Sequence, residues 1–214
     1  MVDELNDLVR SLTDKITNLE ARVELLESTI SIKSNTIDLL KAHVERLEER
    51  SVNQEQYQRR TSLRIHGVPV VVGSESNQDV LKIVEEVHKQ VKVPYSRANI
   101  FRAHRIGPKK KIDNNVTQAI IVKFNDWDAR CALYRARPTR KKPIKDIIFK
   151  SISLDLAKDR IGLLEKARER IKNSNLDANE VYAFADINCN LTVRFGQSDF
   201  RYFDSEKKLE EYFD

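Results

Sequence analysis

Three clusters of arginine and lysine dominate the chemistry available to this sequence. Arg59 and Arg60 form the first; Arg102, Arg105, Lys109, Lys110 and Lys111 the second. Arg130, Arg135, Arg137, Arg140, Lys141, Lys142 and Lys145 form the third. Cations at this density hold phosphates, and a guanidinium can also lie flat on an aromatic ring or a base. Any one of them has an ordinary use as a solvated surface residue. Together they place 21 Lys/Arg against 8 Asp/Glu in residues 59–150, a balance of +13. Residues 1–58 carry 7 against 12, and residues 151–214 carry 10 against 13. The net charge of +5 conceals this positive block between two mildly acidic ones, a footprint for a polyanion.

Enzymatic chemistry has less to stand on. The sequence holds no phosphate-binding glycine loop, no metal-ligand spacing and no credible Ser/His/Asp or Cys/His set. An enzyme is not expected, nor a cofactor or metal. His66 and His104 read as strand-face residues rather than bases. Trp127 and the phenylalanines read as core, which leaves Tyr57 and Tyr134 as candidates to stack on a base. Cys131 and Cys189 lie far apart in different motifs, and with only four histidines they suggest neither a disulfide scaffold nor zinc. A reducing, intracellular setting follows. No apolar run approaches the roughly 18 residues of a membrane span, and no signal peptide opens the chain.

The first element that must position these cations is a heptad repeat. Val2, Val9, Ile16, Val23, Ile30, Ile37 and Val44 fall at position a; Leu5, Leu12, Leu19, Leu26, Leu40 and Leu47 fall at d, and Lys33 alone breaks the seam. So strict a repeat is a coiled coil, about 70 Å long at roughly 1.5 Å per residue. One helix cannot bury such a seam, so another copy is expected. Ile or Val at a with Leu at d favours a parallel dimer. Arg22 at g and Glu27 at e, flanking Val23 and Leu26, resemble the R-h-x-x-h-E pattern of parallel trimers, where the arginine forks onto a neighbour's glutamate. The trimer is expected over the dimer. The seam is in phase at residue 2 without a capping box, so the chain is expected to start within a longer coil. Ser51, Gln54 and Gln58 turn the seam polar, so the helix is expected to fray and residues 51–61 to form a connection.

Residues 62–150 alternate between strand and helix periods. Leu63, Ile65 and Gly67 alternate with Arg64 and His66 in a strand stopped by Gly67 and Pro69. A loop over 69–77, with Gly73 and Ser74, leads to a helix at 78–91, with Asn77 as candidate N-cap. A second strand is expected at 99–106, a loop carrying Lys109 to Lys111 at 107–115, and a third strand at 118–124 with Ile120, Val122 and Phe124 inward. Asn125 or Asp126 caps a helix through Trp127, Cys131, Leu133 and Tyr134. A basic loop, 137–145, reaches a fourth strand at 147–149. The order βαββαβ builds a four-stranded antiparallel sheet with two helices on one face.

This pattern fits a degenerate RNA-recognition motif. Arg64, itself a candidate nucleic-acid contact, stands where the first signature has an aromatic, and Ala119 and Ile121 replace the stacking aromatics of the second. Binding should therefore lean on charge, with weak sequence preference and steep salt dependence.

Residues 151–214 form a small α/β domain. Ser153 is expected to cap a helix over 154–173, followed by strands at 181–185, 191–195 and 200–203 and a helix at 205–213. Arg160, Lys166, Arg168 and Arg170 either face the basic module or belong to a salt-bridged amphipathic helix; the second reading is preferred. The fold class is α+β: coiled coil (1–50), connection (51–61), recognition-motif module (62–150) and C-terminal domain (151–214).

A coil with R-V-E-L-L-E, then R-R-T-S-L-R-I-H-G-V-P, then A-I-I-V-K-F, then R-Y-F-D-S-E-K-K-L-E-E-Y-F resembles the first-open-reading-frame protein of LINE retrotransposons, the transposase-22 type. It is also similar to the baculovirus few-polyhedra protein family. The resemblance spans nearly the whole chain. It implies a homotrimer that coats its element's RNA into a cytoplasmic ribonucleoprotein, with access to the nucleus, and acts as a nucleic-acid chaperone. Single-stranded RNA, and single-stranded DNA beside it, is the implied partner. The family's RNA-contacting cations map to Arg59 or Arg60, to Arg102, Arg105 and Lys109 to Lys111, and to Arg135 or Arg137, with a fourth at Arg160. Host genes derived from such elements share the pattern. The competing expectation is a coiled-coil adapter whose recognition-motif lobe binds protein.

Overall fold

The computed structural model describes residues 2–70, 75–112, 115–139, 142–174, 177 and 180–213. It is mixed α and β, with a long N-terminal helix and two antiparallel sheets. Two compact units divide it, Met1–Ser51 and Val52–Asp214.

The first unit belongs to α1 (Val2–Arg59). Its seam aliphatics are exposed in the single chain, from Leu12 at 49 % to Val2 at 73 %. A 3.5-residue repeat draws the apolar groups into one line along the rod, which no residue of the same helix can cover.

The last turns of α1 belong to the second unit, and here the structure departs from the expected fraying: the helix continues through Ser51 to Arg59. Gln56 explains it. Its amide is only 4 % exposed, donates to Asp155 O at 3.2 Å and accepts from Ala157 N at 2.8 Å. A buried amide satisfied on both sides holds these turns helical where composition alone indicates a linker.

Next come β1 (Ser62–Pro69), α2 (Asn77–Gln90), β2 (Ile100–Ile112), β3 (Asn115–Phe124), α3 (Trp127–Arg135) and β4 (Ser151–Leu154), in βαββαβ order. The antiparallel sheet runs β2-β3-β1-β4. Leu63, Ile65, Ile120, Val122 and Phe124 alternate onto its inner face and join Val84, Val87 and Leu133 of the two helices in the core. The N-cap of α2 is Ser76 rather than Asn77: Ser76 Oγ accepts from Asp79 N, and Asp79 Oδ2 accepts from Ser76 N. Asp126 caps α3.

Three further departures concern strands. The β2–β3 hairpin reaches Ile112 and Asn115, so Lys109 to Lys111 ride on a strand rather than in a loop, with Lys110 opposite Thr117 and Lys111 opposite Val116. The fourth strand lies at 151–154, not 147–149, because the free edge of β1 pairs there, Leu63 with Leu154 and His66 with Ser151. Ser153 is therefore a strand residue, and the following helix starts at Lys158 instead of 154. Finally, β1 ends at Pro69, one residue past the expected 62–68, and bulges between Ile65 and Val68. Gly67 has φ +71°, and a Cβ on it would stand 2.6 Å from Lys150 Cβ. Only glycine fits this combination of left-handed backbone and close approach.

The chain ends in α4 (Lys158–Asn173), β5 (Val181–Ala185), β6 (Leu191–Phe195), β7 (Asp199–Phe203) and α5 (Glu206–Glu210), with sheet order β5-β6-β7. Leu164, Ala167 and Ile171 of α4 join Val181, Ala183, Leu191, Val193 and Phe203 in the core. Among the described residues, no helix is long and apolar enough to cross a membrane.

Candidate functional site

The cations divide by what already holds them. Asp155, 2 % exposed, accepts from Arg64 Nε at 2.6 Å and from Arg59 Nη1 at 3.2 Å. Arg59 also pairs with Glu55 at 2.8 Å. Both guanidiniums thus tie the end of α1 and strand β1 to the segment after β4. Arg105 is more committed: Glu75 takes it bidentately at 2.8 and 2.9 Å, and the carbonyls of Val68, Pro69 and Gln118 accept from it. All three ends of the fork are occupied, so Arg105 latches the segment before α2 onto the sheet and has little to offer a ligand. The Arg105 guanidinium in turn holds the Glu75 carboxyl below its ordinary range.

Arg130 is fully buried. It donates to Ile187 O at 2.7 Å and lies 3.6 Å from Cys189 Sγ, with its guanidinium over the rings of Trp127 and Tyr134 at 4.8 and 5.5 Å. It pins α3 to the 186–190 turn. Burial pushes the Cys189 thiol up, so this sulfur is a neutral neighbour rather than a thiolate.

Arg60, Arg102, Lys109, Lys110, Lys111, Arg135 and Lys142 are left without a carboxylate partner among the described residues, and all but the half-buried Arg60 are exposed. Arg137 stacks on Tyr134 with its guanidinium carbon 3.6 Å from the ring centroid. Arg140 and Lys141 lie outside the described residues.

Two concavities take in Arg60 and Lys110 of these, while Arg102, Lys109, Lys111, Arg135, Arg137 and Lys142 line neither. The first, about 660 Å³, lies between the last turns of α1, the residues leading into α3 and the 186–190 turn. Arg60 sits in it with its guanidinium 3.7 Å from the Tyr57 centroid and 5.8 Å from that of Trp127, and donates to Tyr57 Oη at 2.9 Å. Five side-chain amides line the walls: Asn53, Gln56, Asn125, Asn188 and Asn190. The turn that presents the last two is built on Asp186, whose Oδ1 accepts from the backbone N–H of Asn188 and Asn190 at 2.9 and 2.8 Å. Arg160 closes the far side, donating to Cys189 O and to Asn53 Oδ1. Of the α4 cations it alone lines this cleft: Lys166 and Arg170 pair with Glu206 and Glu210, and Arg168 donates to Ala183 O.

The second, about 550 Å³, is on the outer face of the four-stranded sheet, among Arg64, His66, Lys110, Ala119 and Lys150. Desolvation first, then Arg64 and Lys110, hold His66 below its ordinary value, so it is neutral at pH 7 and bonded to Ser153 Oγ at 2.7 Å. Phe101 is 63 % exposed, with Lys123 Nζ 5.7 Å from its ring centroid.

The first cleft has planar rings, amide donors and acceptors, and fixed cations; the second has charge and little ring surface. Sequence reasoning placed Arg60, Tyr57 and Arg160 without knowing that they line one cleft. It read Trp127 as core, whereas the ring is half-buried and lines the cleft. It read the phenylalanines as core, whereas Phe101 and Phe200 are exposed, and it missed Lys123 and Lys150, for which no motif existed. It also missed the four asparagines, whose only signal is their proximity to turns. Among the described residues no group of His, Cys, Asp and Glu is arranged to hold a metal. Compared with models of known protein families and with curated proteins, the chain matches none.

Proposed function

We propose that this chain is a self-associating, single-stranded RNA-binding protein that coats RNA and acts as a nucleic-acid chaperone of the LINE-retrotransposon type. The single observation that carries the reading is the Arg60–Tyr57–Trp127 cleft: a guanidinium already stacked on one ring, beside a second ring, walled by amides. A base stacks on such ring and guanidinium planes, and a phosphate fits the cations beside them. The antiparallel order β2-β3-β1-β4 supports a degenerate RNA-recognition motif, and the exposed heptad seam supports a parallel homotrimer through Val9, Leu12, Ile16, Leu19, Val23, Leu26, Ile30, Ile37, Leu40, Val44 and Leu47, with Arg22 and Glu27 as the interchain pair. Ribonucleoprotein particles in the cytoplasm, with passage to the nucleus, follow from that reading.

The test is anisotropy of a labelled single-stranded RNA of about 30 nucleotides, titrated at several salt concentrations, each neutralised phosphate adding roughly −0.7 to the log–log slope. Wild-type protein should show a slope of several units and little sequence preference. Replacing Arg60, Arg102, Arg135 and Arg137 together should remove binding with the oligomer intact. Arg105 is left out, because its loss would release the Glu75 latch. Unchanged affinity in the quadruple variant defeats the proposal. The second reading, an adapter binding protein, draws on Arg64, Ala119 and Ile121 in place of stacking aromatics on the four-stranded sheet. It gains if the wild type ignores RNA at physiological salt and retains a peptide partner.

A further inference from the structure

The outer face of the C-terminal sheet is built differently from everything else on the second unit. Alternation sends Val181, Ala183, Leu191, Val193 and Phe203 inward, so Tyr182, Phe184, Thr192, Arg194, Phe200 and Tyr202 share the opposite face. The strand register arranges them as two rows: Tyr182 opposite Arg194 opposite Phe200, and Phe184 opposite Thr192 opposite Tyr202. Four rings thus surround one cation and one hydroxyl. Tyr182, Phe200 and Tyr202 are 37, 47 and 58 % exposed, an unusual outlay of aromatic surface on one small sheet.

The centre of the patch is polar and incompletely satisfied. Arg194 donates to Tyr182 Oη at 2.8 Å and to the carbonyls of Gly196 and Gln197, and its guanidinium carbon lies 5.5 and 5.6 Å from the Tyr182 and Phe200 centroids. Its described partners carry no negative charge. Thr192 is 1 % exposed, and its Oγ1 has no hydrogen-bond partner among the described residues. The patch is also continuous with the cleft already described. A neighbouring hollow of about 320 Å³ shares Asn53, Arg160 and Asn190 with that cleft and reaches Tyr202 at its other end.

We propose that this face is a base-stacking platform for single-stranded nucleic acid leaving the Arg60–Trp127 cleft. Unpaired bases would lie on Phe200 and Tyr202, which stand roughly 6.6 Å apart along the strand and can seat one base each. Tyr182 would extend the platform, and the Arg194 charge would face the phosphates. A ring accepts any base, so the platform adds affinity without sequence choice. The inference rests on the RNA-binding reading of the cleft.

The test uses the full chain and two probes of about 30 residues, an oligouridine and a sugar–phosphate strand of equal charge without bases. Phe200→Leu and Tyr202→Leu keep the apolar area and remove the rings. Each should weaken oligouridine binding about fivefold to a hundredfold while leaving the salt slope and the abasic strand unaffected. Equal affinity of variant and wild type for oligouridine overturns the platform and leaves the cleft standing. Wild type binding neither probe at low salt sinks the RNA reading and the platform with it. If a variant loses both probes, or unfolds by circular dichroism, ultraviolet cross-linking of wild type decides. Adducts on Tyr182, Phe200 or Tyr202 sustain the platform, and adducts confined elsewhere overturn it. Loss of a bound protein with RNA affinity intact would assign the face to protein and overturn it likewise.

Discussion

The two sheets of the second unit present opposite outer faces. The four-stranded sheet shows Arg64, His66, Ala119 and Ile121 where a stacking surface would need rings, with Lys110 and Lys150 beside them. The three-stranded sheet shows Tyr182, Phe184, Phe200 and Tyr202 around a single arginine. One face offers charge with little planar area, the other planar area with little charge. Charge acts at a distance and is screened by salt; stacking acts at contact and is not. Splitting the two between sheets would let one nucleic-acid strand be gathered by the first and held by the second.

The largest expected effect tests the charged half. Replacing Arg102, Lys110, Lys123 and Lys150 by alanine should lower the salt slope by up to about 3 and affinity at 0.1 M salt by roughly a hundredfold or more. A slope that stays put would erase the contrast between the faces. Next comes the scaffold beneath that face: Asp155→Ala strips the one buried carboxylate shared by Arg59 and Arg64. Removing one partner of a buried pair costs about 3–5 kcal/mol, and the one-third exposure of the arginines reduces this to about 2–3 kcal/mol. Denaturant titration would read it, and a loss under about 1 kcal/mol would mean that Gln56 and the Arg160–Asn53 bond hold the end of α1 without it.

Gly67→Ala puts a Cβ into Lys150 and a left-handed backbone under strain, which should cost about 1–3 kcal/mol by the same measurement. Relief by a second change at Lys150 would assign the cost to the close approach rather than to φ. The smallest effect is the pH response of His88, which lies between Tyr95 and Phe124 with Nδ1 donating to Val84 O at 2.8 Å. Burial holds its pKa below the ordinary 6.5. The unfolded chain therefore takes up the proton first, and the stability this group contributes is complete above pH 6.5 and drains away as pH falls below it. His88→Gln should flatten stability between about pH 6.5 and 5 by under roughly 1 kcal/mol. An unchanged slope there would place the acid sensitivity on His66 or His104, both also held below their ordinary value.

Legibility followed the range of the forces involved. Ile120, Val122 and Phe124 face inward because alternation is local, and Tyr182 and Phe200 could have been paired by the same rule had the register of β6 been known. Lys109 to Lys111 read as a loop because glycine and proline beside them look like turn residues, while their strand character comes from Thr117 and Val116 across the hairpin. The position of β4 is hidden for a similar reason: Ile147–Phe149 has the apolar composition, but the edge of β1 pairs with 151–154.

The heptad seam, the excess of positive charge in residues 59–150 and the βαββαβ order are properties of spacing and composition, and spacing is written in the chain itself. What Arg59, Arg64, Arg105 and Arg130 do is not, because an arginine looks the same whether Glu75, Asp155 or Ile187 O awaits it. The tertiary structure alone decided which cations are consumed inside the protein, that Trp127 lines a cleft, and that four aromatic rings share one sheet face. Hydrogen bonds and stacking reach only a few ångströms, so their partners are set by folding and not by nearness in sequence.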